Sequence, residues 1–453
     1  MDRRDFIRTS LLVSTGAVVA PGLSARAEDV FSGTIVPGAQ YRDGKSGNPS
    51  NGVEGHLSLQ GYVREPSHRI PVAASADVVV VGGGPAGVAA SICAARQGAS
   101  VILVEKANFL GGLWTGGLVL PVLATHALGR KTAWDKASGG FCAELCDELL
   151  ENGWAVNPLN PTVEPEATKY LLDKKTLECG VKVLYNSTVS SVTMSGSRID
   201  SILLDCNTGR IAIKCGAVVD ASGDGVVFNA SGDPHEDRLY HICSSYRTGG
   251  CSSDKCGSLT PNPEMKFKTI GTRQAEDGLD VFRVSELQRE HRIGVWERIS
   301  KLREDEECKD VYLMEMAPVT GVRVTRVLDS LHNVTLEESM TWTEFDDVVG
   351  MSGACDPILY KGGTVPPRER PVWQIPYRSL LPRETENLFV AGRCFGYDQG
   401  ITWDAREIST CMVTGEAAGT AAALCVNLRC SGKGLDVARL QSTLRKGNVR
   451  LDF

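Results

Sequence analysis

No two cysteines in this sequence are spaced C-x-x-C, although 15 are spread along its 453 residues. Zinc ribbons and thioredoxin-like redox motifs therefore have no support. No stretch reaches the roughly 18 consecutive apolar residues of a membrane span, so no transmembrane segment is expected. No basic patch or stripe occurs, and the formal net charge is −7. That excludes the usual signature of a nucleic-acid binder, and no nucleic-acid partner is expected. No Ser-His-Asp or metal-ligand spacing stands out, so hydrolase and metalloenzyme readings have little support and no metal site is expected. Internal repeats and low-complexity tracts are also missing.

What is present fits a soluble globular chain of about two domains. Hydrophobic residues make up 42% and charged residues 23%, both ordinary values. Glycine is in excess, at 48 residues, as expected of a chain with many tight turns or close backbone approaches to something bound. Among the cysteines, Cys243, Cys251 and Cys256 form the tightest group of three, and plain buried or surface thiols are the expected reading.

The first 27 residues read as an export signal. Asp2 to Arg8 is basic, a ten-residue, mostly apolar run follows from Leu11 to Ala20, and Ala25-Arg26-Ala27 supplies a small-residue cleavage site. Arg3-Arg4 followed by Phe6 resembles the twin-arginine subclass. A periplasmic or otherwise extracytoplasmic location is expected, and there a Cys251–Cys256 disulfide would be compatible with the surroundings. Residues 28–76 form a polar arm. From Asp77 the character changes: Val78 to Val81 is a continuous β-branched run, as in a strand buried on both faces. Ala86 to Gln97 reads as a helix with a small-residue stripe, Gly98 as its stop, and Val101 to Val104 as a second buried strand. This is a β-α-β unit with a right-handed crossover. Helices are expected at 141–150 and 166–179, a strand at 181–185 and a β-meander at 188–221. The acidic run Glu304 to Glu307 reads as a solvated helix face. A strand is expected at Leu388 to Ala391 and a small-residue helix at Thr410 to Leu424.

Gly82-Gly83-Gly84-Pro85-Ala86-Gly87 matches G-x-G-x-x-G between a buried strand and a helix, with Glu105 ending the next strand. In that setting the pattern is a strong dinucleotide fingerprint. Gly82 permits the turn, Gly84 lets the backbone approach a pyrophosphate, and Gly87 allows close helix–strand packing. Pro85 and Ala86 open the helix whose N-terminus favours the anion, and Glu105 would accept hydrogen bonds from the ribose hydroxyls. A second glycine loop follows from Lys106, with Gly111 and Gly112. It suits a cofactor larger than NAD, running further along the sheet edge. Only one such fingerprint is present, so electrons are expected to pass through the substrate or a separate acceptor or donor. FAD is the cofactor expected.

Four blocks now make the sequence resemble the FAD-dependent oxidoreductases of the two-dinucleotide-fold superfamily, related in fold to fumarate reductase flavoproteins. They are residues 77–117, 218–225, 321–326 and 373–424, in order along the chain. The resemblance implies a Rossmann-like α/β FAD domain with a β-meander and an inserted α+β cap. The implied division is 77–234 and 386–430 for the FAD domain, 235–385 for the cap and 431–453 for a tail. It further implies that Ala221, Gly223 and Asp224 close over the cofactor, that Gly392 and Arg393 lie near the ribitol, and that a helix starting near Gly415 aims its N-terminus at the flavin. Arg323, Arg326 and Arg406 match family arginines, able to bind a carboxylate or form ion pairs. Tyr397, Asp398, Trp403 and Asp404 stand where the family often has histidine. His126 is a candidate proton donor or covalent flavin anchor beside the alternative of an ordinary histidine. The function expected is hydride transfer between flavin and a small polar substrate. A flavoprotein electron-transfer subunit and a non-redox enzyme with structural FAD are the alternatives.

Overall fold

Val78, Val79, Val80 and Val81 are almost wholly buried, because their strand lies inside the sheet and helices pack against it. The structure, a computed structural model, describes residues 41–42, 53, 55–58, 60, 69–126, 136–341, 343–353 and 372–452. The export segment expected at 1–27, and most of the arm expected at 28–76, lie outside the described residues. Strand Val72–Val81 pairs with Val101–Val104 and with Gly209–Asp220, Val78 facing Val101 on one side and Ala217 on the other. Lys182–Leu184 extends the parallel edge beyond Val101–Val104. On the other side the expected meander is present: Thr188–Ser195, Arg198–Cys206 and Gly209–Asp220 run antiparallel. Strand Gly209–Asp220 changes partner along its length. Residues 209–214 pair with the meander, whereas Val218–Asp220 pair in parallel with Leu388–Val390. A chain segment more than 160 residues downstream in sequence therefore joins the sheet on the side of Gly209–Asp220 away from the fingerprint strand.

Helix Pro85–Arg96 begins with proline in its first turn, where the missing N–H costs nothing. It lies against helix Ile408–Leu428 at backbone contact distance. A Cβ on Gly415 would stand 2.1 Å from the Ala86 carbonyl oxygen, and one on Gly419 equally close to that of Ala90. Interaxial distance follows the side chains at the crossing, and here both helices present alanine and glycine. Among the described residues Ile408–Leu428 is the one helix long and apolar enough to cross a membrane. Every residue from Ile408 to Cys425 is buried within the protein, so this is its central core helix. The expectation that no stretch would qualify missed it because alanine, glycine and threonine dilute the run.

Between the two FAD-domain segments a second sheet is built from Ser258–Leu259, Lys266–Gly271, Ile242–Gly249 and Tyr312–Met316, with Gly321–Val322 against Ile242–Gly249. Helix Val281–Leu302 buries Leu287, His291, Val295 and Ile299 beneath it. The antiparallel pair Val348–Gly353 and Val372–Pro376 is apart from this sheet, and a Cβ on Gly350 would collide with Val413 of the core helix. The described residues from 41 onward cluster as one compact unit, which takes in the span 235–385. The acidic run departs from a helix face: helix Val281–Leu302 has ended, Asp305 caps a 3-10 turn at Glu306–Cys308, and Cys308 is buried. The 431–453 segment, expected as a tail, packs on the rest of the protein. Helix Val437–Lys446 buries Leu440 and Leu444, and the Asn448 carbonyl accepts from the Gly140 amide at 2.9 Å.

Candidate active site

The fingerprint turn, the second glycine loop and the second sheet enclose one cavity of about 660 Å³, a normal size for a ligand site. Gly82, Gly84, Pro85, Ala86, Glu105, Lys106, Gly112, Ala221, Gly223, Asp224, Gly392 and Arg393 all line it. So do Arg323, Arg326, Trp403 and Arg406.

The glycines have distinct reasons. Gly82 sits at φ +97°, and a Cβ there would stand 2.5 Å from the Ala221 carbonyl oxygen. Gly84 precedes the helix with no side-chain cap and no acidic residue in the first turn, so the helix end keeps its positive character. A Cβ at Gly84 would meet nothing within 4 Å, whereas one at Gly112 would stand 3.0 Å from the Gly84 Cα. Bare backbone thus faces open space at the helix N-terminus, as an anionic pyrophosphate requires. Gly87 does not line the cavity. Its Cβ would collide with the Gly82 carbonyl oxygen at 1.7 Å, which makes it the close-packing position expected.

Glu105 accepts from the Gly83 amide at 2.6 Å and the Ala107 amide at 2.7 Å. A carboxylate accepts about four hydrogen bonds, so capacity remains for ribose hydroxyls. Asp224 gathers the cations of the site. Its Oδ1 lies 2.6 Å from the Arg393 guanidinium and accepts from the Thr325 hydroxyl at 3.0 Å. Lys106 is 3.6 Å away, and the Asp224 backbone carbonyl accepts from Arg326. Burial alone would raise this carboxyl, but the charges of Arg393 and Lys106 hold it below its ordinary value. Three residues on the lining, Trp114, Trp403 and Arg393, carry buried N–H donors without a partner in the protein. Native proteins rarely leave buried donors so, and the phosphates, ribityl hydroxyls and ring carbonyls of a flavin dinucleotide supply acceptors of the right kind.

A model of the FAD dependent oxidoreductase family matches residues 77–237 and 245–444, most of the chain. The chain belongs to this family. It is an FAD-dependent oxidoreductase, and FAD fits the bare glycine cradle and the unpartnered donors of its cavity. Among curated proteins, thiamine thiazole synthase of Aeropyrum pernix is 28% identical over 163 residues, 33% of this chain and 56% of that protein. The enzyme of the same name from Methanothermobacter thermautotrophicus is also 28% identical, over 32% and 55%. The flavoprotein thus spans about half the length of the curated relatives it matches. Among solved structures, p-nitrophenol 4-monooxygenase of Pseudomonas putida is 12% identical with a TM-score of 0.47, covering 83% of this chain and 88% of that one. A geranylgeranyl bacteriochlorophyll reductase-like protein of Thermoplasma acidophilum is 13% identical with a TM-score of 0.43, covering 82% of each chain.

Several expected site residues lie elsewhere. Gly415 is not at a helix start, since the helix begins at Ile408 and Gly415 is a packing position against Ala86. Gly111 supports the second loop from behind, at φ +103° with its amide donating to the Gly83 carbonyl at 2.7 Å. His126 is not on the lining. Its Nδ1 meets the Thr125 hydroxyl at 2.9 Å, and burial lowers its pKa. Tyr397 is fully buried, donates to the Arg393 carbonyl at 2.8 Å, and carries Arg238 5.0 Å above its ring. Asp404 is fully buried off the lining, its carbonyl accepting from the Thr410 hydroxyl. Of the expected catalytic set, Arg323 and Arg406 remain on the cavity, with Arg406 4.4 Å from the Trp403 ring. Sequence reasoning missed the wall from the second sheet: Cys243, Ser245, Phe267 and Thr269 all line the cavity. Strand Ile242–Gly249 shows no apolar–polar alternation and is buried throughout, so nothing local marked which of its residues meet a ligand. The cysteine grouping also changes. Cys243 faces Gly321 and the cavity, whereas Cys308 joins Cys251 and Cys256, all three as free thiols.

Proposed function

We propose that this flavoenzyme is exported and moves a hydride between FAD and a small polar substrate carrying a carboxylate, with a separate electron acceptor or donor completing the cycle. The observation that carries the reading is that four arginines, Arg323, Arg326, Arg393 and Arg406, line the same cavity as the dinucleotide loops. Bound FAD supplies the two-electron redox centre. Arg393 and Arg326 are engaged by Asp224, and Arg323 and Arg406, on the same lining, are the arginines proposed to meet the substrate. A guanidinium is a planar fork that matches a carboxylate bidentately. Glu407, buried on the lining beside Arg406, is the carboxyl proposed to move the proton, a role that needs reach to the substrate. Burial pushes the Cys411 thiol up to about 12, so this lining residue is neutral at pH 7 and no nucleophile. Export rests on the sequence of residues 1–27 alone.

The test is anaerobic mixing of the holoenzyme with hydroxy acids, amino acids and unsaturated dicarboxylic acids, reading flavin absorbance at about 450 nm. Arg323→Ala and Arg406→Ala should each raise KM about 10- to 100-fold at unchanged flavin content, the loss of one charge-assisted contact. Equal rates with esters of the same acids, or variants with unchanged KM, would overturn the carboxylate assignment.

A further inference from the structure

A second concentration of reactive side chains lies in the small core under the second sheet. The Sγ of Cys256 is 2.6 Å from that of Cys251, and Cys308 Sγ is 3.6 Å from Cys251 and 3.5 Å from Cys256. All three thiols are buried, in one cluster with Tyr246, Ile270, Val295, Ile299 and Val311. Among the described residues, no carboxylate or imidazole joins the group. We propose that Cys251, Cys256 and Cys308 form a structural site for one soft cation, Zn(II) or Cu(I).

The backbone brings the three sulfurs together by deliberate local means. Gly250, at φ +74°, leads into Cys251, and a Cβ there would strike the Asp310 carbonyl. Gly257, at φ +143°, leads out of Cys256, and a Cβ there would strike the Phe267 carbonyl. Ser253 and Asp305 cap the two 3-10 turns that present Cys256 and Cys308. Lys255 ties those turns together, reaching Asp305 at 2.6 Å and Glu307 at 3.0 Å. Tyr246 is fully buried in the same cluster. An all-sulfur set selects soft cations over magnesium or calcium. Zinc–sulfur bonds of about 2.3 Å in a tetrahedral arrangement put sulfurs about 3.8 Å apart. Both distances to Cys308 are close to this, and Cys251 and Cys256 would open to match. On binding, three S–H bonds break, three metal–sulfur bonds form, three protons go to solvent, and no electron moves. Such a site would clamp the end of the sheet whose Ser245, Phe267 and Thr269 line the flavin cavity.

The test uses the full-length holoenzyme. Protein isolated without reductant is first mapped by alkylation and mass spectrometry. Reduced, chelator-treated protein is then loaded anaerobically with Zn(II) or with Cu(I), dialysed, and its metal measured. The expected result is about one cation per chain, with a sulfur shell at about 2.3 Å in X-ray absorption. The cation that survives dialysis identifies the metal. Cys308→Ser should lose it while keeping its flavin, and Cys206→Ser, a change in the distant meander, should retain it. A Cys251–Cys256 disulfide in the isolated protein would overturn the proposal. So would native protein that keeps neither metal, or undiminished metal in Cys308→Ser. X-ray absorption of the unsubstituted protein decides the matter even if the serine variant fails to fold.

Discussion

Asp224 and Arg393 meet at 2.6 Å although 169 residues separate them in the chain. The contact joins the strand end after the meander to the strand that returns beside it, on the lining of the cofactor cavity. Arg393→Ala should destabilise the flavin-free protein by about 2 kcal/mol, less than a fully buried pair would cost because both side chains keep some solvent contact. The native pKa of Asp224 is depressed. Its stabilising contribution is therefore present above the unfolded value and lost as pH falls through the folded one. Denaturation of wild type and variant at pH 7 and at acid pH should show the difference shrinking in acid.

Gly84 and Gly87 should separate cofactor binding from folding. A methyl at Gly84 meets no protein atom, whereas one at Gly87 overlaps the Gly82 carbonyl. Gly84→Ala should fold with nearly unchanged Tm but bind FAD about tenfold or more weakly, a loss of about 1.4 kcal/mol. Gly87→Ala should lose stability even without FAD. Flavin content and Tm, measured together, check both.

Glu416 is a buried carboxyl in the core helix, where it accepts from the Phe141 amide at 2.8 Å. Burial raises its pKa to about 7. The folded state therefore binds a proton that the unfolded state has released, and stability falls as pH rises from about 4.5 to about 7. The cost of ionising it is about 3 kcal/mol. Glu416→Gln should gain Tm relative to wild type at pH 8 and show little difference at pH 4.5.

Tyr397 and His126 serve as controls for the site. Tyr397→Phe should cost about 1 kcal/mol of stability, the worth of its hydrogen bond to the Arg393 carbonyl, with kcat unchanged. In His126→Ala, as in wild type, acid precipitation should release the flavin to the supernatant. Flavin retained in the wild-type pellet but released from the variant would place His126 at the cofactor after all.

The local parts of the fold were written in the sequence. The valine run, the fingerprint turn, the small-residue helix and the meander were legible because each depends on neighbours within about 30 residues: β-branching, a required positive φ, or helical spacing. The role of Gly87 could be read from its motif position alone. Tertiary structure decided everything that depended on distant segments meeting. Gly415 looked like a helix start because its neighbours resemble a motif, but the helix runs from Ile408 and the glycine answers to Ala86. Tyr397 and Asp404 share a polar stretch with Arg406, yet only the arginine reaches the cavity, since a short turn of helix sends neighbouring side chains in different directions. The ion pair of Asp224 with Arg393 and the approach of Cys308 to Cys251 and Cys256 span separations over which no periodicity exists. Their formation depends on how segments distant in sequence come together within each sheet and its core, and that information is spread over the packing rather than written beside the residues concerned.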